Sequence, residues 1–316
     1  MRVHLRTNID ADEPEKEPET ETIAPSADAA LAALGRRQLS TRLEPGVLTA
    51  GELTEARRQL HHAAQLIAAT GRCFAAPLPD DAHANLGWSH ELKGFVTRPL
   101  ESGDVSLRSA LLVREAAVAV CTKEGRVLRQ LPLVDRVRNE VAGWIRAQLS
   151  IHDLPAGRLQ FDAPYEIPDH PVAGGRRYMA GEPEEFAELG RWYALGQRLF
   201  DHLRDETPGF GEIRCWPHHF DLAMQLPLGE GRSVGVGLSP GDEHIPEPYL
   251  YVLPWPAPTT DALPPLKAGG RWHTDGFVAA TLDGETLLES TPPLVERAAE
   301  FVEAAVAAAR QLVSDG

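Results

Sequence analysis

The sequence predicts an α+β protein built from two copies of one unit. Trp88–His90 aligns with Trp216–His218 at an offset of 128 residues, and the same offset places Pro99–Leu100 on Pro227–Leu228. In each copy, alternating apolar and polar residues lie between segments of helical periodicity, an order typical of α+β folds. We therefore expect each copy to be a helix, several antiparallel strands and a second helix, with a pseudo-two-fold relation between the copies.

Each copy is predicted to begin and end with an amphipathic helix. Apolar residues recur at steps of three and four over Leu53–Ile67 in the first copy and over Phe186–Phe200 in the second. Val134–Ile145 and Val295–Val306 repeat that spacing at the far ends, each directly after Pro-Leu. Such spacing gives a helix one apolar stripe for packing on a core, and proline is common in a first turn.

The segments between these helices have the alternation of half-buried strands. Trp88–Thr97 and Trp216–Gln225 each alternate apolar with polar residues, which predicts one strand over each. Further β-prone runs, separated by glycine and proline turns, lie at 107–113, 116–121, 233–238, 249–253 and 276–282.

Composition divides the chain into four parts. Residues 9–22 are mostly acidic, threonine or proline, a composition that buries too little apolar area to offset chain entropy, and we expect residues 1–46 to be a disordered N-terminal arm. Residues 47–150 form the first repeat unit, and residues 151–181, rich in proline and glycine, form a linker. Residues 182–316 form the second repeat unit, which we expect to carry the site.

Bulk properties exclude several classes of function. The net charge of −15 over 316 residues disfavours nucleic-acid binding, which requires clustered cations. Three cysteines at distant positions form neither a disulfide framework nor a CxxC motif, so we expect a cytoplasmic protein. The chain contains no apolar run of the roughly 18 to 20 residues that a membrane helix needs, so we expect no membrane partner.

Several phrases of the sequence resemble a known family. These are Thr97–Leu100 after the first tryptophan strand, Phe220–Ala223, and Glu247–Tyr251 followed by Pro254–Pro256. Together they resemble an uncharacterised bacterial family known only as a domain of unknown function, the five-nine-nine-six type, with a two-copy α+β repeat. The likeness covers about residues 50–314. It implies the fold, but it implies no activity, substrate or catalytic residue.

Potential metal ligands are concentrated in the second copy. His219 and Asp221 alternate on one predicted strand, as His273 and Asp275 do on another. If those strands are neighbours, two imidazoles and two carboxylates come within cross-strand reach, a ligand set typical of divalent metal sites. We expect His219, Asp221 and His273 to bind zinc, iron, manganese or nickel, with Glu247 as catalytic base or fourth ligand. Further candidates are His218, His244 and Asp275 as ligands and Glu243 as an alternative base.

The aromatic residues of the second copy support a different hypothesis. Trp216, Tyr249, Tyr251 and Trp272 would line a pocket for an organic ligand, although such residues are also common in cores. An anionic group of that ligand would meet Arg271, with Arg214 and Arg232 as alternatives.

Three hypotheses therefore remain open. The first is a metal-dependent enzyme, a hydrolase or a non-haem oxygenase-like catalyst acting on a small molecule. The second is a non-catalytic binding module for an apolar or aromatic small ligand. The third is a structural or assembly protein that forms a homodimer through an exposed sheet edge.

Overall fold

A computed structural model describes Pro45 and residues 49–179, 181–289 and 292–315. The predicted N-terminal arm lies outside the described residues, apart from Pro45. The described chain consists of helices and two six-stranded antiparallel sheets, so the α+β class is confirmed. None of its helices is both long and apolar enough to span a bilayer.

The first sheet follows a long helix, α1 (Ala50–Phe74), and precedes α2 (Arg138–Ile151). Its strand order is β1-β2-β4-β5-β6, and β3 pairs with Val105–Leu107 of β4, on the same edge of β4 as β2. The strands are β1 (Gly87–Ser89), β2 (Gly94–Val96), β3 (Leu100–Ser102), β4 (Val105–Leu112), β5 (Ala117–Thr122) and β6 (Val127–Pro132).

The second sheet follows α3 (Pro183–Glu206) and precedes a short α4 (Gly284–Leu288) and the long α5 (Leu294–Asp315). Its strand order is β11-β12-β10-β9-β8-β7, so β7 and β11 are its two edges. The strands are β7 (Arg214–Trp216), β8 (Asp221–Gly229), β9 (Arg232–Ser239), β10 (Tyr249–Trp255), β11 (Arg271–His273) and β12 (Ala279–Asp283).

The two sheets meet at a seam between β1 and β7. Leu86 N donates to Cys215 O at 3.0 Å and Cys215 N donates to Leu86 O at 2.7 Å, forming an antiparallel bridge. Alternate strand residues, such as Phe95 in the first sheet and Leu222 in the second, share one apolar core with the helices. We call the opposite side of both sheets, which carries Ala110 and Ala223, the far face.

The segment 151–181, predicted as a linker, packs against α1. Its residues Leu154, Val172 and Tyr178 are buried in the main core. Its polar groups also bind α1: Pro168 O bonds to His62 Nε2 at 3.0 Å, Tyr165 OH donates to Gln65 Oε1 at 2.9 Å, and Met179 N donates to Gln59 Oε1 at 2.8 Å. Proline and glycine therefore mark irregular backbone here, not separation between the two halves.

The prediction of one continuous strand over Trp88–Thr97 and over Trp216–Gln225 was wrong. Each segment is a hairpin, β1–β2 or β7–β8, with a four-residue turn at 90–93 or 217–220. The last turn residue has a left-handed backbone in both, φ +46° at Lys93 and +58° at Phe220. Because neither turn contains glycine, the alternation of side chains continues through it and conceals it.

Candidate functional site

The structure separates the residues predicted to share a metal ion. His219 lies in the β7–β8 turn and Asp221 begins β8, whereas His273 ends β11, with β9, β10 and β12 between. At about 4.8 Å per strand they lie roughly 19 Å apart across the sheet, so the strands are not neighbours and cannot share one ion. Among the described residues, no group of three or more His, Cys, Asp and Glu side chains is arranged to hold a metal.

Asp221 is a buried acidic residue at the start of β8, with 5% of its surface exposed. Its Oδ2 accepts a hydrogen bond from Tyr251 OH, while Oδ1 is buried and has no hydrogen-bond partner among the described residues. Burial raises the pKa of the Asp221 carboxyl above its ordinary value, although nearby His219, the Tyr251 hydrogen bond and its own backbone amide act in the opposite direction. A buried carboxyl with a raised pKa is able to hold or release a proton during a reaction.

A glycine allows Tyr251 to reach this carboxyl. In the register of the sheet, Tyr251 pairs with Gly237, and Gly237 pairs with Ala223, two residues beyond Asp221. A Cβ atom on Gly237 would lie 2.2 Å from Tyr251 Cζ, so the phenol ring crosses directly over the glycine. Any side chain at position 237 would displace Tyr251. The hydrogen bond between Tyr251 and Asp221 therefore depends on a glycine, a residue that has no side chain of its own to bind either partner.

Tyr249 makes a second tyrosine–aspartate pair, which organises the β9–β10 loop. Its OH donates to Asp242 Oδ2 at 2.5 Å, and Asp242 Oδ1 accepts from the backbone amides of His244 and Ile245 at 2.8 and 2.9 Å. Burial, followed by this hydrogen bond, raises the pKa of Tyr249. Because both oxygens of Asp242 are occupied within the loop, this pair is structural.

Helix α1 holds the β7–β8 turn through its polar residues. His61 Nε2 bonds to Pro217 O at 2.9 Å and Gln65 Nε2 donates to the same oxygen at 2.6 Å. The His61 ring stacks on Phe220 with centroids 5.4 Å apart and planes 6° from parallel. Burial lowers the pKa of His61 from 6.5 to about 4, so this imidazole is neutral near pH 7.

The same helix supports the β9–β10 loop through a buried arginine. Arg57 Nη1 donates to Pro246 O at 3.1 Å and to Pro240 O at 3.4 Å. A Cβ atom on Gly241 would lie 2.1 Å from Arg57 Nη1, so the loop depends on a glycine at its closest approach to the helix. Sequence reasoning missed Arg57, His61 and Gln65, although polar residues at steps of four on a long apolar helix are a readable pattern.

The two turn histidines differ in environment. His218 is partly buried, with its ring centroid 5.3 Å from Tyr165 and 4.1 Å from His219, and burial lowers the pKa of His218 to about 4. His219 is exposed. His219 is therefore the titratable ring beside Asp221 that solvent reaches most freely.

The remaining histidine candidates meet near the opposite edge of the sheet. The rings of His244 and His273 lie 5.7 Å apart and both contact Phe277. His273 Nε2 bonds to the backbone oxygen of Asp275 at 2.6 Å, so the contact with Asp275 is made by the main chain. These residues form a histidine–aromatic cluster, and beside it Glu243 Oε1 lies 3.8 Å from His244 Nε2.

Glu247 lies near α4. Its Oε2 accepts from Glu285 N, in the first turn of α4, at 2.7 Å. Burial raises the pKa of the Glu247 carboxyl, and Asp283 and Glu285 add to this effect. Its observed contact is thus that of a residue that stabilises a helix end, and its predicted catalytic role stays a prediction.

The residues of the predicted aromatic pocket are spread over the second sheet, from edge strand β7 through interior strand β10 to edge strand β11. Trp216, Tyr249 and Tyr251 lie on β7 and β10, whereas Trp272 and Arg271 lie on edge strand β11. Trp272 Nε1 donates to Pro264 O at 2.8 Å, and Arg271 pairs with Asp283. Trp272 packs against the main core, on the opposite side of the sheet from Tyr251, so the five residues do not line one pocket. Trp216, Tyr249 and Tyr251 are the part close to Asp221.

A cavity of about 280 Å³ lies on the helical side of the molecule, between α3 and α5. Its walls are mainly apolar, with acidic side chains at the rim. They comprise Leu199, His202, Leu203, Glu206, Thr207, Ala299, Val302 and Glu303. None of the predicted site residues contributes to it.

Comparison with protein-family models, curated proteins and solved structures found no significant match. The resemblance to a bacterial domain of unknown function stays a prediction.

Proposed function

We propose that the protein binds a small organic molecule on the far face of the second sheet, beside Asp221 and Tyr251. The observation that carries the proposal is the buried Oδ1 of Asp221, which lacks a hydrogen-bond partner within the described chain. Leaving such an atom unpaired costs about 1–3 kcal/mol, and groups of this kind call for a specific explanation. A ligand hydroxyl or amine that donates to Oδ1 would satisfy it.

The surroundings of Asp221 favour a flat aromatic ligand. Trp216 pairs directly with Asp221 across β7 and β8, and Tyr251 donates to its carboxyl. Ala223, the next residue of β8 on the far face, is small, and the ring of Tyr251 lies over Gly237. Aromatic rings beside a small residue are typical of sites that recognise a ring through its faces.

Titration of the full chain with phenol tests this proposal, because phenol combines a ring with one hydroxyl donor. We expect chemical-shift changes in ¹⁵N NMR spectra centred on the amides of Ala223, Gly235 and Gly237. The Asp221→Asn variant should lose them, while Asp201→Asn, a matched change on α3, should retain them. Changes that are absent, or equal in both variants, would overturn the proposal.

An acid–base enzyme is the second candidate. The raised pKa of the Asp221 carboxyl and the exposed His219 two residues away favour it, because a carboxyl and an imidazole side by side are able to serve as acid and base in a reaction. A small-molecule reaction that requires Asp221 should then lose its rate in Asp221→Asn without loss of ligand binding.

The metal-dependent form of this enzyme, a hydrolase or non-haem oxygenase-like catalyst, now depends on the adjacent pair His219 and Asp221. Two protein ligands leave most positions of a divalent ion to water or substrate. Mass spectrometry of untagged protein should then find about one equivalent of zinc, iron, manganese or nickel, lost in His219→Ala. Protein that is empty and takes up no added metal would eliminate this form.

We also infer that the two halves arose by duplication, as in the family that the sequence resembles. The four-residue turns of β1–β2 and β7–β8, each ending in a left-handed residue, support this inference. The three free cysteines favour a cytoplasmic location. Self-association through an edge strand such as β6 or β11 is the structural alternative, and a mass that rises with concentration would reveal it.

A further inference from the structure

Three arginines from both sheets meet on the far face at the seam. Arg108 lies on β4, Arg98 follows β2, and Arg214 lies on β7. Arg214 extends over Gly87 of β1, where a Cβ atom would lie 2.8 Å from its Nη1. A glycine on the first sheet therefore leaves room for a guanidinium from the second.

The charges at the seam are unbalanced. Glu212 Oε2 accepts hydrogen bonds from Arg98 Nη2 and, at 3.0 Å, from Arg214 Nε. It also forms an ion pair with Arg214 Nη2 at 3.0 Å. One carboxylate therefore faces two arginines, and Arg108 adds a third positive charge. Burial, followed by repulsion from Arg98, lowers the pKa of Arg214. These four side chains carry a surplus of two positive charges within a chain of net charge −15.

The guanidiniums also retain donors. Arg98 Nε is buried and has no partner in the described part of the chain. Arg108 donates from Nε to Lys123 O and from Nη1 to Thr97 O, both at 2.9 Å, so its side chain is held in place by the first sheet. Guanidinium forks that are held in position and share excess positive charge match the paired oxygens of carboxylate and phosphate groups.

We propose that Arg98, Arg108 and Arg214 bind the oxyanion, a carboxylate or phosphoryl group, of the small molecule that the far face recognises. Arg214, Ala223, Gly237 and Tyr251 occupy one row across the second sheet, spanning about 14 Å. Because the Tyr251 ring covers Gly237, Ala223 is the residue that separates this ring from Arg214 in the row, so one molecule lying over Ala223 reaches both. This ligand assignment rests on the proposed function, whereas binding of an oxyanion at the seam does not.

Calorimetric titration of the full chain with inorganic phosphate at constant ionic strength tests the seam. We expect binding that weakens by about tenfold or more in Arg98→Gln and in Arg214→Gln. Arg232→Gln, which removes an arginine paired with Glu230 near the β8–β9 turn, is the matched control and should change affinity less than about twofold. Absence of phosphate binding, or equal weakening in the control, would overturn the site.

Glu212→Gln provides a test by gain of binding, which a misfolded variant cannot imitate. Removal of this carboxylate frees the donors of Arg98 and Arg214, so phosphate should bind about tenfold more tightly. Weaker binding in Glu212→Gln would overturn the competition on which the proposal depends.

The link to the proposed function is tested with 4-hydroxybenzoate, which carries a hydroxyl and a carboxylate on one ring. It should bind about tenfold more tightly than phenol, and Arg214→Gln should remove that advantage. Phosphate binding without any phenol response would leave the anion site standing and overturn the proposed function. Phenol binding without phosphate binding would support the proposed function and overturn the anion site. If 4-hydroxybenzoate binds no more tightly than phenol, one molecule does not occupy both sites, and the assignment of the oxyanion to the ligand of the far face is overturned.

Discussion

The turns of the β1–β2 and β7–β8 hairpins have the same length and backbone but different environments. Lys93, which ends the first turn, is exposed, whereas Phe220, which ends the second, is 1% exposed. Both have a positive φ. Phe220 packs among the rings of His61, Tyr193 and Phe95, and Tyr193 OH donates to Phe220 O at 2.7 Å. The same local geometry therefore serves as a solvent-facing turn in one half and as part of the core in the other.

The cause of this difference lies in the helices. His61 and Gln65 of α1 bind the second turn. Their counterparts in the predicted alignment of the two helices are Ala194 and Arg198 of α3, of which Arg198 lies near His90 of the first turn. An alanine cannot donate a hydrogen bond to the turn. The comparison teaches that the special properties of the second hairpin depend on polar residues supplied by the first half of the chain.

The largest expected effect distinguishes the two turn ends. Phe220→Ala should destabilise the protein by about 3–5 kcal/mol, because it removes a fully buried ring, while Lys93→Ala should change the free energy of unfolding by less than about 0.5 kcal/mol. Urea denaturation of both variants measures this. Similar losses in the two variants would show that the turns share one environment.

The second prediction concerns pH. The pKa of His61 is about 4 in the folded protein and has its ordinary value of 6.5 in the unfolded chain. The contribution of the neutral His61 ring to stability is therefore present above pH 6.5 and is lost as the pH falls towards 4. The loss amounts to about 3 kcal/mol. His61→Gln retains a donor for Pro217 O but cannot titrate, so it should flatten stability over this range.

His90→Gln, in the first turn, is the matched control for this effect. Burial also lowers the pKa of His90, but the site is less enclosed than that of His61. Denaturation curves across the pH range should therefore change less in His90→Gln than in His61→Gln. An unchanged pH dependence in His61→Gln would show that another group controls acid destabilisation.

Sequence reasoning was most reliable where one helix or strand carries the signal. The apolar stripes predicted helices that correspond to α1, α3 and α5, and alternation identified strands in both halves. Periodicity could not show that β8 and β11 are separated by three strands, because strand order depends on connections that periodicity does not encode. Asp221 was a candidate from the start, but its partner Tyr251 depends on register and on Gly237, which no side-chain motif marks.

The third prediction compares the contributions of α1 and α3 to stability. Gln65→Leu should cost about 1–2 kcal/mol, because it removes a donor from Pro217 O and leaves the Tyr165 hydroxyl without its acceptor. Arg198→Leu, the corresponding change in α3, should cost less than about 0.5 kcal/mol because the residue is partly exposed. Equal costs, measured by thermal unfolding, would contradict the asymmetry between α1 and α3.

The fourth prediction concerns the residue after each turn, Gly94 in the first hairpin and Asp221 in the second. A Cβ atom at Gly94 would lie 2.2 Å from Leu111 O, so the first hairpin has no room for a carboxyl at this place. Tyr251→Phe removes the hydrogen bond that lowers the pKa of Asp221, so that pKa should rise further, at a cost of about 1 kcal/mol. Carboxyl ¹³C NMR measures the shift, and a fall in the pKa would contradict it.

The smallest expected effect tests whether the shared backbone of the two turns is strained. Lys93→Gly should stabilise the protein by about 0.5 kcal/mol, because glycine adopts φ +46° without the steric cost that a lysine bears, although glycine also gains freedom in the unfolded chain. Phe220→Gly has the same backbone benefit but should destabilise by several kcal/mol through loss of its ring. Changes of opposite sign in the free energy of unfolding, measured by urea denaturation, would show that backbone strain is common to both turns while burial belongs to the second turn alone. Destabilisation by Lys93→Gly would contradict the strain.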